Sequence, residues 1–462
     1  LVANPDLPQA GLIPDLGNQW GPRVGLAWGS GRNRLPVLRL GYGLYFTRTP
    51  NAALETALTR TGSPKSDLSF FIRPTDNLNL GGAPPFPYVL QGEPLTLIKP
   101  NAAEFAPTFR NGEVHQAVAS IEEALPGGVH VTVSAAASLA RRLPLTLDAN
   151  IDPAVNPGAI TYGIVDGNGS GPIKTPQITM PFYATWPGAA HGGRLNPNYQ
   201  QIDETLSGAN SRYEAASLRL TRTGRGGLTL HARYTYAHAL DENPDSGCIA
   251  IQPSVFDPGN LRDEYGASDL DIRHSATLAL VWAPRWKLPA REGLFANGWA
   301  LSSVGSYRGG LPFTLRTAGS LAEEFTAPAQ ETDSTSEAIV GLSTGINGYG
   351  GDNRVPGVGR NTFRYPATWK ADLRLAKRFN LGEMRQIELL AESFNLFNHQ
   401  NVTELETVGY SLQPGDPSGR LPTLNFLTGL KTGQTEFGQP LNVNGTDFYR
   451  PRQFQFGVRM RF

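Results

Sequence analysis

Segments in which apolar and polar residues alternate recur along this chain, and they constrain its fold more than any other feature. In Leu38–Phe46 and Val129–Leu139 every second residue is apolar, and most of the residues between are small, polar or charged. A period of two places the two sets on opposite faces of a β-strand. Such segments run for about nine to eleven residues, the length that a tilted strand needs to cross a bilayer, whereas soluble strands average about five or six. The pattern therefore predicts an all-β chain whose strands can span a membrane.

The connections between the predicted strands alternate between short and long. Short connections such as Leu125–Gly127 and Asn380–Glu383 take a few residues, whereas the long ones run for dozens. Outer-membrane barrels have short periplasmic turns and long extracellular loops, and soluble domains seldom hold unstructured loops beyond about 15 residues. The chain is therefore predicted to be an antiparallel transmembrane β-barrel with about 11 strands. The predicted strands lie near residues 20–29, 36–47, 113–124, 128–140, 212–222, 227–238, 270–283, 297–308, 368–379, 384–397 and 452–462.

Composition narrows the classes of protein that fit. The 40 Lys and Arg residues balance the 40 Asp and Glu residues, so there is no net field to recruit nucleic acid. Cys248 is the only cysteine, which excludes an intrachain disulfide and a Cys-based zinc site. No apolar run approaches the ~18 residues of a transmembrane helix, so the chain is either soluble or a membrane barrel. We expect no nucleic-acid partner, no metal and no cofactor.

The start of the chain and the number of strands predict a truncated barrel. The first residue is Leu1 rather than Met, and no signal-peptide pattern follows it. Single-chain barrels have an even number of strands with both ends in the periplasm, whereas the 11 strands predicted here begin from the outside. We therefore expect residues 1–462 to form a partial outer-membrane β-barrel domain, with at least one strand missing upstream.

Nine segments, in order along nearly the whole chain, resemble the barrel of the Oar-like TonB-dependent receptors. Examples are GLTLHARYTYAHALD (227–241), NGYGGDNRVPGVGRNTFRYP (347–366) and IELLAESFNLFNHQN (387–401). The resemblance implies the C-terminal part of a roughly 22-stranded barrel with an N-terminal plug. It also implies a signal, a TonB box and a carboxypeptidase regulatory-like domain upstream, and we recognise none of these parts in the sequence. The implied partners are outer-membrane lipid, the barrel-assembly machinery, the TonB complex and an unknown extracellular ligand.

The last predicted strand carries a further feature of that family. Its alternating apolar residues and terminal aromatic resemble the C-terminal signal that the barrel-assembly machinery reads. The residues of this predicted signal are Phe454, Phe456, Val458, Met460 and Phe462.

Charged residues alternate with apolar ones on the last three predicted strands. If the apolar residues face lipid, these charges face the lumen. They form either a wall that contacts a plug or a substrate, or ion pairs that satisfy one another. The second is the commoner case, because exposed ion pairs form at little cost in free energy. The predicted lumen-facing residues are Arg374, Arg378, Glu388, Glu392, Arg459 and Arg461.

Two short motifs suggest other chemistry, and neither is complete. Asp166–Gly171 matches the opening of a calcium loop, but Lys174 stands at the ninth position and Gln177 replaces the bidentate glutamate at the twelfth. Gly341–Gly345 fits G-x-S-x-G around Ser343, but a nucleophile elbow needs a preceding strand and a following helix. We expect a turn in the first case and an ordinary loop in the second.

Polar residues and loop aromatics complete the candidates. Asp269, Asp271, Arg273 and His274 crowd the start of one strand, and no second histidine lies at metal-ligand spacing, so we expect a hydrogen-bonded cluster at the rim. Recognition usually sits on loops, yet the sequence leaves the ligand-binding residues unknown. The aromatic candidates are Trp186, Tyr199, Tyr265 and Tyr349.

The function expected is import of a large or scarce nutrient, such as a siderophore or an oligosaccharide, by a TonB-dependent receptor in the bacterial cell outer membrane. The alternative is a non-transporting outer-membrane surface receptor, an adhesion protein or a secretion-linked barrel. A hydrolase would rest on Ser343 alone, so we expect no enzyme.

Overall fold

The computed structural model contains, in the residues that it describes, one large and mostly antiparallel sheet and three smaller sheets. It describes residues 4–15, 17, 19–29, 36–63, 65, 99–151, 158–182, 195–242, 255–318, 353–381, 385–413, 420–428, 436–446 and 448–462. Within these residues no helix is both long and apolar enough to cross a membrane.

The secondary structure is dominated by strands. The described part of the chain contains two α-helices, α1 (Asn51–Thr59) and α2 (Ala290–Ala296), and short 3₁₀ turns at Arg225–Gly227 and Leu261–Glu264. The strands are β1 (Arg23–Trp28), β2 (Val37–Phe46), β3 (Asn101–Phe105), β4 (Glu113–Leu125), β5 (Val129–Asp148), β6 (Gly158–Val165), β7 (Gln177–Phe182), β8 (Gln201–Arg222), β9 (Leu228–Asp241), β10 (Gly266–Ala267), β11 (His274–Trp282), β12 (Trp299–Arg308), β13 (Pro312–Phe313), β14 (Arg316–Ala318), β15 (Phe363–Arg364), β16 (Thr368–Asn380), β17 (Gln386–Phe394), β18 (Val402–Leu405), β19 (Val408–Gln413), β20 (Thr423–Phe426), β21 (Pro440–Val443) and β22 (Gln453–Arg461).

Eleven strands form one continuous wall in the order β1-β2-β4-β5-β8-β9-β11-β12-β16-β17-β22. Each strand pairs antiparallel with its neighbours, and the order along the sheet follows the order along the chain. Every one of the predicted strands corresponds to a strand of this wall. The prediction of the wall of an antiparallel transmembrane β-barrel is confirmed.

Two strands are much longer than predicted. β5 continues to Asp148 and β8 begins at Gln201, and the added parts pair with each other beyond the predicted ends at residues 140 and 212. The register shifts between Ala140 and Leu143, where Arg142 adopts a positive φ of 59°. A β-bulge of this kind adds a residue and breaks the period of two, so the alternating pattern stops before the strand does.

Register divides the wall into two faces. Residues directly opposite in an antiparallel pair share a face, and the pairs Leu26↔Leu40, Leu40↔Ala119 and Ala119↔Ala135 continue across all eleven strands. We call the face that includes Leu40 and Phe456 the apolar face and the other the polar face. Phe456 is 79% exposed, and so much exposed apolar surface on one side of a sheet is the lipid-facing band of a membrane barrel.

The principal hydrophobic core lies in the long connections. Three of them contribute strands to a five-stranded sheet in the order β14-β19-β20-β6-β7. Tyr162, Leu315, Tyr410 and Leu424 are fully buried there. A barrel wall turns its apolar side chains towards lipid, so a water-excluding core has to form outside the membrane. The described parts of the long connections are therefore packed structures at the outer end of the wall.

Candidate functional site

Charged residues on the last three strands of the wall form a ladder of ion pairs on the polar face. Glu388 is central, because Arg378 Nη2 lies 3.1 Å from its Oε1 and Arg459 Nη1 lies 3.4 Å from its Oε2. Arg374 Nη1 and Glu392 Oε1 form a looser pair at 3.6 Å. Glu388 is 8% exposed, so its carboxylate relies on these two guanidiniums for its charge partners.

A second cluster joins the outer end of the wall to the long connections, and we call it the outer junction. Arg360 pairs with Asp241 at the end of β9 and donates from Nε to the carbonyl of Glu264 at 3.0 Å. Arg354 pairs with the Glu264 carboxylate. All four side chains are buried. Burial raises the pKa of the Glu264 carboxyl above its usual value, and the guanidinium of Arg354 opposes that rise.

Asp271 anchors the same junction just before β11. Its buried carboxylate accepts hydrogen bonds from Arg273 Nε at 2.8 Å, from the Ala239 backbone N–H at 2.7 Å and from Arg364. Burial alone would raise the pKa of Asp271, but these hydrogen bonds outweigh it and hold the pKa below the usual value. Asp271 therefore fastens two wall strands to the segment that leads into β16.

Two carboxyls face each other at the outer extension of β8. β3 pairs parallel with this extension, and Glu104 lies opposite Glu204. Burial and the negative charge of Glu204 raise the pKa of Glu104 to about 7. Its Oε2 atom is buried without a hydrogen-bond partner. The Glu104 carboxyl therefore has a pKa near neutral pH, and burial also raises the pKa of Glu204 above its usual value.

Comparison with protein families assigns nearly the whole chain to one family. The family model described as outer membrane β-barrel domain matches residues 1–455. The chain belongs to this family. The barrel domain is accordingly a bacterial outer-membrane protein, and its exposed apolar face is the surface that contacts lipid.

Solved outer-membrane transporters resemble the barrel domain at low identity. The ferric-catecholate import receptor Fiu of Escherichia coli K12 has 9% identity and a TM-score of 0.37 over 95% of this chain and 34% of its own. The outer-membrane transporter YddB of Escherichia coli has 8% identity and a TM-score of 0.40 over 92% of this chain and 38% of its own. FpvA of Pseudomonas aeruginosa, in a complex with a pyoverdine and iron, has 10% identity and a TM-score of 0.37 over 96% of this chain and 33% of its own. The chain thus spans about a third of the length of these structures.

No curated protein matches the chain. The family assignment therefore rests on the family model.

The predicted lumen-facing charges share one face of the barrel domain. Five of them form the ladder described above, and Arg461 lies opposite Gln386 at the end of that face. The residues of the predicted assembly signal lie on the other face or at its end, and Phe462 is 90% exposed. That the charges line a lumen and that the signal is read during assembly both stay predictions.

The predicted rim cluster forms only in part. Asp271 and Arg273 are hydrogen-bonded, and Asp269 accepts a hydrogen bond from Asn361. His274 lies apart from them, because its Nδ1 atom hydrogen-bonds the Tyr234 hydroxyl at 2.8 Å. Among the residues that the structure describes, no group of three His, Cys, Asp or Glu side chains could hold a metal ion.

The segment resembling a calcium loop is a turn between β6 and β7. Asp166 Oδ2 accepts a hydrogen bond from the Gly171 backbone N–H at 2.7 Å, and Lys174 Nζ donates to the Gly169 carbonyl at 2.9 Å. The ammonium of Lys174, at the ninth position of the motif, is therefore hydrogen-bonded within the turn. Ser343 and its G-x-S-x-G motif lie outside the described residues.

Two of the four aromatic candidates lie within the described residues. Tyr265 is exposed and stays a candidate for ligand contact, whereas Trp186 and Tyr349 lie outside the described residues. The expectation for Tyr199 as an accessible loop aromatic is wrong. Its side chain is buried, and its hydroxyl accepts a hydrogen bond from Asn4 Nδ2 at 2.7 Å.

Sequence reasoning missed the outer junction apart from Asp269, Asp271 and Arg273. Arg354 and Arg360 both fall in the segment 347–366, which carries the family resemblance, but their carboxylate partners lie 90 and 119 residues away. The local pattern contains no signal for contacts of that range. A shared feature that could have marked these arginines is their position in a Gly-rich segment with few other charges.

Proposed function

We propose that the chain forms part of the barrel of a TonB-dependent receptor that imports a large or scarce nutrient, such as a siderophore or an oligosaccharide. The observation that carries this proposal is the open wall. Among the described residues, β1 pairs only with β2 and β22 pairs only with β17. Unpaired strand edges are not tolerated in hydrocarbon, so further strands are needed to close the wall.

A barrel of more than 11 strands encloses a wide lumen. Barrels of about eight strands are filled by their own side chains, whereas 22-stranded transporters hold a plug in the lumen. The ladder around Glu388 supports the proposal, because a charged and hydrogen-bonding wall is what a polar plug or substrate would contact. In this role the outer junction holds the long connections in place above the lumen, where they would meet the ligand first.

The test is uptake by the complete receptor in its own outer membrane. Cells with and without the receptor gene, each with and without functional TonB, are offered ferric catecholate and hydroxamate siderophores carrying radioactive iron, and fluorescent oligosaccharides. We expect accumulation of one probe that requires both the receptor and TonB. Binding of a probe at the surface without TonB-dependent accumulation would overturn import and support the non-transporting receptor.

A second measurement addresses the barrel itself. Electron microscopy of the complete receptor counts the strands and locates a plug. We expect a closed barrel of about 22 strands in which the ladder around Glu388 borders the plug. A wall that closes with 11 or 12 strands around an empty lumen would overturn the proposal.

A further inference from the structure

One short connection of the barrel domain differs from the others. The turns between β4 and β5 and between β8 and β9 take only a few residues, whereas residues 283–298 between β11 and β12 include helix α2. This connection is at the periplasmic end of the wall, because the long connections occupy the outer end.

The C-terminal end of α2 is held on the apolar face of the wall. Lys377 and Trp299 are register partners on that face. Lys377 Nζ donates to the carbonyls of Leu294 at 2.9 Å and Phe295 at 2.8 Å, and Trp299 Nε1 donates to the Phe295 carbonyl at 2.9 Å. Side chains that project from the lipid-facing side thus grip the end of the helix. The helix therefore lies outside the wall.

This grip explains a lysine on the apolar face. The last carbonyls of a helix have no partners within the helix and carry partial negative charge. Lys377 satisfies them, and its ammonium also lies 5.1 Å from the ring centre of Trp299 and 5.0 Å from that of Phe379. Lys377 is 5% exposed, so its ammonium interacts with the end of α2 rather than with solvent.

The free side chains of the segment combine apolar groups with cations. Trp286, Leu294 and Phe295 are exposed, the last at 71%. The cations Arg285, Lys287 and Arg291 are exposed as well, against the single acidic residue Glu292. Trp286 also contacts Trp282 of the apolar face edge to face, with ring centres 6.5 Å apart. Aromatic side chains flanked by cations are typical of the boundary between hydrocarbon and headgroups.

We propose that residues 283–298, which we call the α2 anchor, bind anionic phospholipid of the periplasmic leaflet. Phe295, Leu294 and Trp286 enter the acyl boundary, and Arg285, Lys287 and Arg291 contact headgroup phosphates. Two observations select lipid over a protein partner. The anchor continues the lipid-facing surface of the wall, and its excess positive charge complements an anionic headgroup.

The first experiment measures lipid selectivity. The complete receptor is reconstituted in phosphatidylcholine vesicles that carry spin-labelled phosphatidylglycerol or spin-labelled phosphatidylcholine, and the association of each label is compared. The variant is Arg285→Gln/Lys287→Gln/Arg291→Gln. Its matched control, Lys174→Gln/Arg262→Gln/Arg420→Gln, removes three exposed cations from the outer connections.

A cation near an anionic surface contributes a factor of about five. We therefore expect the anchor variant to lose at least about fivefold of its preference for phosphatidylglycerol, and the control to keep it. Equal preference in the unmodified receptor, the variant and the control would overturn the proposal.

The second experiment measures depth and keeps every anchor cation. The single cysteine is removed by Cys248→Ser, and Phe295→Cys is labelled with a nitroxide in the complete receptor in vesicles. We expect the label to collide more with oxygen, which dissolves in lipid, than with a water-soluble nickel chelate. The opposite ratio would place α2 in water or against a protein partner and overturn the proposal.

Discussion

Glu104 lies directly opposite Glu204 in the parallel pair of β3 and β8, close enough for the charge of Glu204 to raise the pKa of Glu104. Burial contributes the larger part of that rise, which takes the pKa from 4.5 to about 7. A carboxyl with a raised pKa in the folded state binds its proton more tightly folded than unfolded.

The first prediction concerns pH. The stabilising contribution of protonated Glu104 is fully present below 4.5 and is lost as the pH rises through about 7. We expect the free energy of unfolding to fall by about 1 to 2 kcal/mol across this window, less than full linkage because the carboxyl is partly screened. Denaturant titrations of the complete protein in detergent at several pH values measure it. Glu104→Gln should flatten the profile, and the exposed control Glu55→Gln should leave it unchanged.

The second prediction concerns the outer junction. Arg354→Ala leaves Glu264 buried without its main charge partner, and breaking a buried pair from one side costs about 3 to 5 kcal/mol. We expect faster proteolysis of the long connections while the wall stays folded. The exposed pair Arg212–Glu214 is the control, because Arg212→Ala should cost less than about 1 kcal/mol. Equal protease resistance in both variants would contradict a structural role for the Arg354–Glu264 pair.

The third prediction concerns the ladder. Glu388→Ala leaves Arg378 and Arg459 without their shared carboxylate. Both arginines are more than half exposed, so we expect a loss of only about 1 to 2 kcal/mol. The shift in denaturation midpoint measures it. Glu392→Ala, which breaks the looser 3.6 Å pair, should cost less, and a larger loss there would contradict the ranking.

The fourth prediction concerns a turn of the wall. Gly298 has φ of +83°, and a Cβ atom there would lie 2.3 Å from the Arg378 carbonyl oxygen. Gly127 has a similar φ of +85° with open space around it. Gly127→Ala should therefore cost only the left-handed strain of about 1 to 2 kcal/mol, whereas Gly298→Ala should cost more because the backbone of β16 has to move. Heat-modified mobility in gels reports the folded fraction of each variant.

The fifth prediction concerns assembly. Phe462 is 90% exposed, so Phe462→Ala removes little packing from the folded domain. We expect unchanged stability after refolding in detergent but a reduced amount in the outer membrane of cells. Val24→Ala, on the apolar face of β1 at the other edge, should insert normally. If Phe462→Ala inserts as well as the unmodified protein, the terminal aromatic is not an assembly signal.

The wall was predictable because lipid imposes a simple rule on it. A strand such as β22 or β2 has one face in hydrocarbon, so its apolar and polar residues alternate. That alternation can be recognised in the sequence without knowing which strand pairs with it. The rule does not hold for the parts of the chain that lie outside the membrane. The bulge near Arg142 and the outer extension of β8 follow contacts between chain segments, and the sequence pattern carries no trace of them.

The same reasoning explains why most of the outer junction and the contacts of Lys377 with α2 were missed. Arg354 meets Glu264 only because the long connections fold over the wall. Lys377 occupies a position where the alternating pattern expects an apolar residue, and its role depends on helix α2, which precedes it by about eighty residues. Partners at such separations are set by tertiary packing, which a local pattern does not record.

The five-stranded sheet at the outer end has a consequence for how the outer surface of such a barrel can be exchanged. β6 and β7 come from one connection, β14 from a second, and β19 and β20 from a third, yet they hydrogen-bond as one sheet around Tyr162 and Tyr410. A single connection transplanted from a relative would arrive without its strand partners. Recombination or engineering of this surface would therefore have to exchange the three connections as a set, so the unit of inheritance at this surface is the sheet rather than the loop.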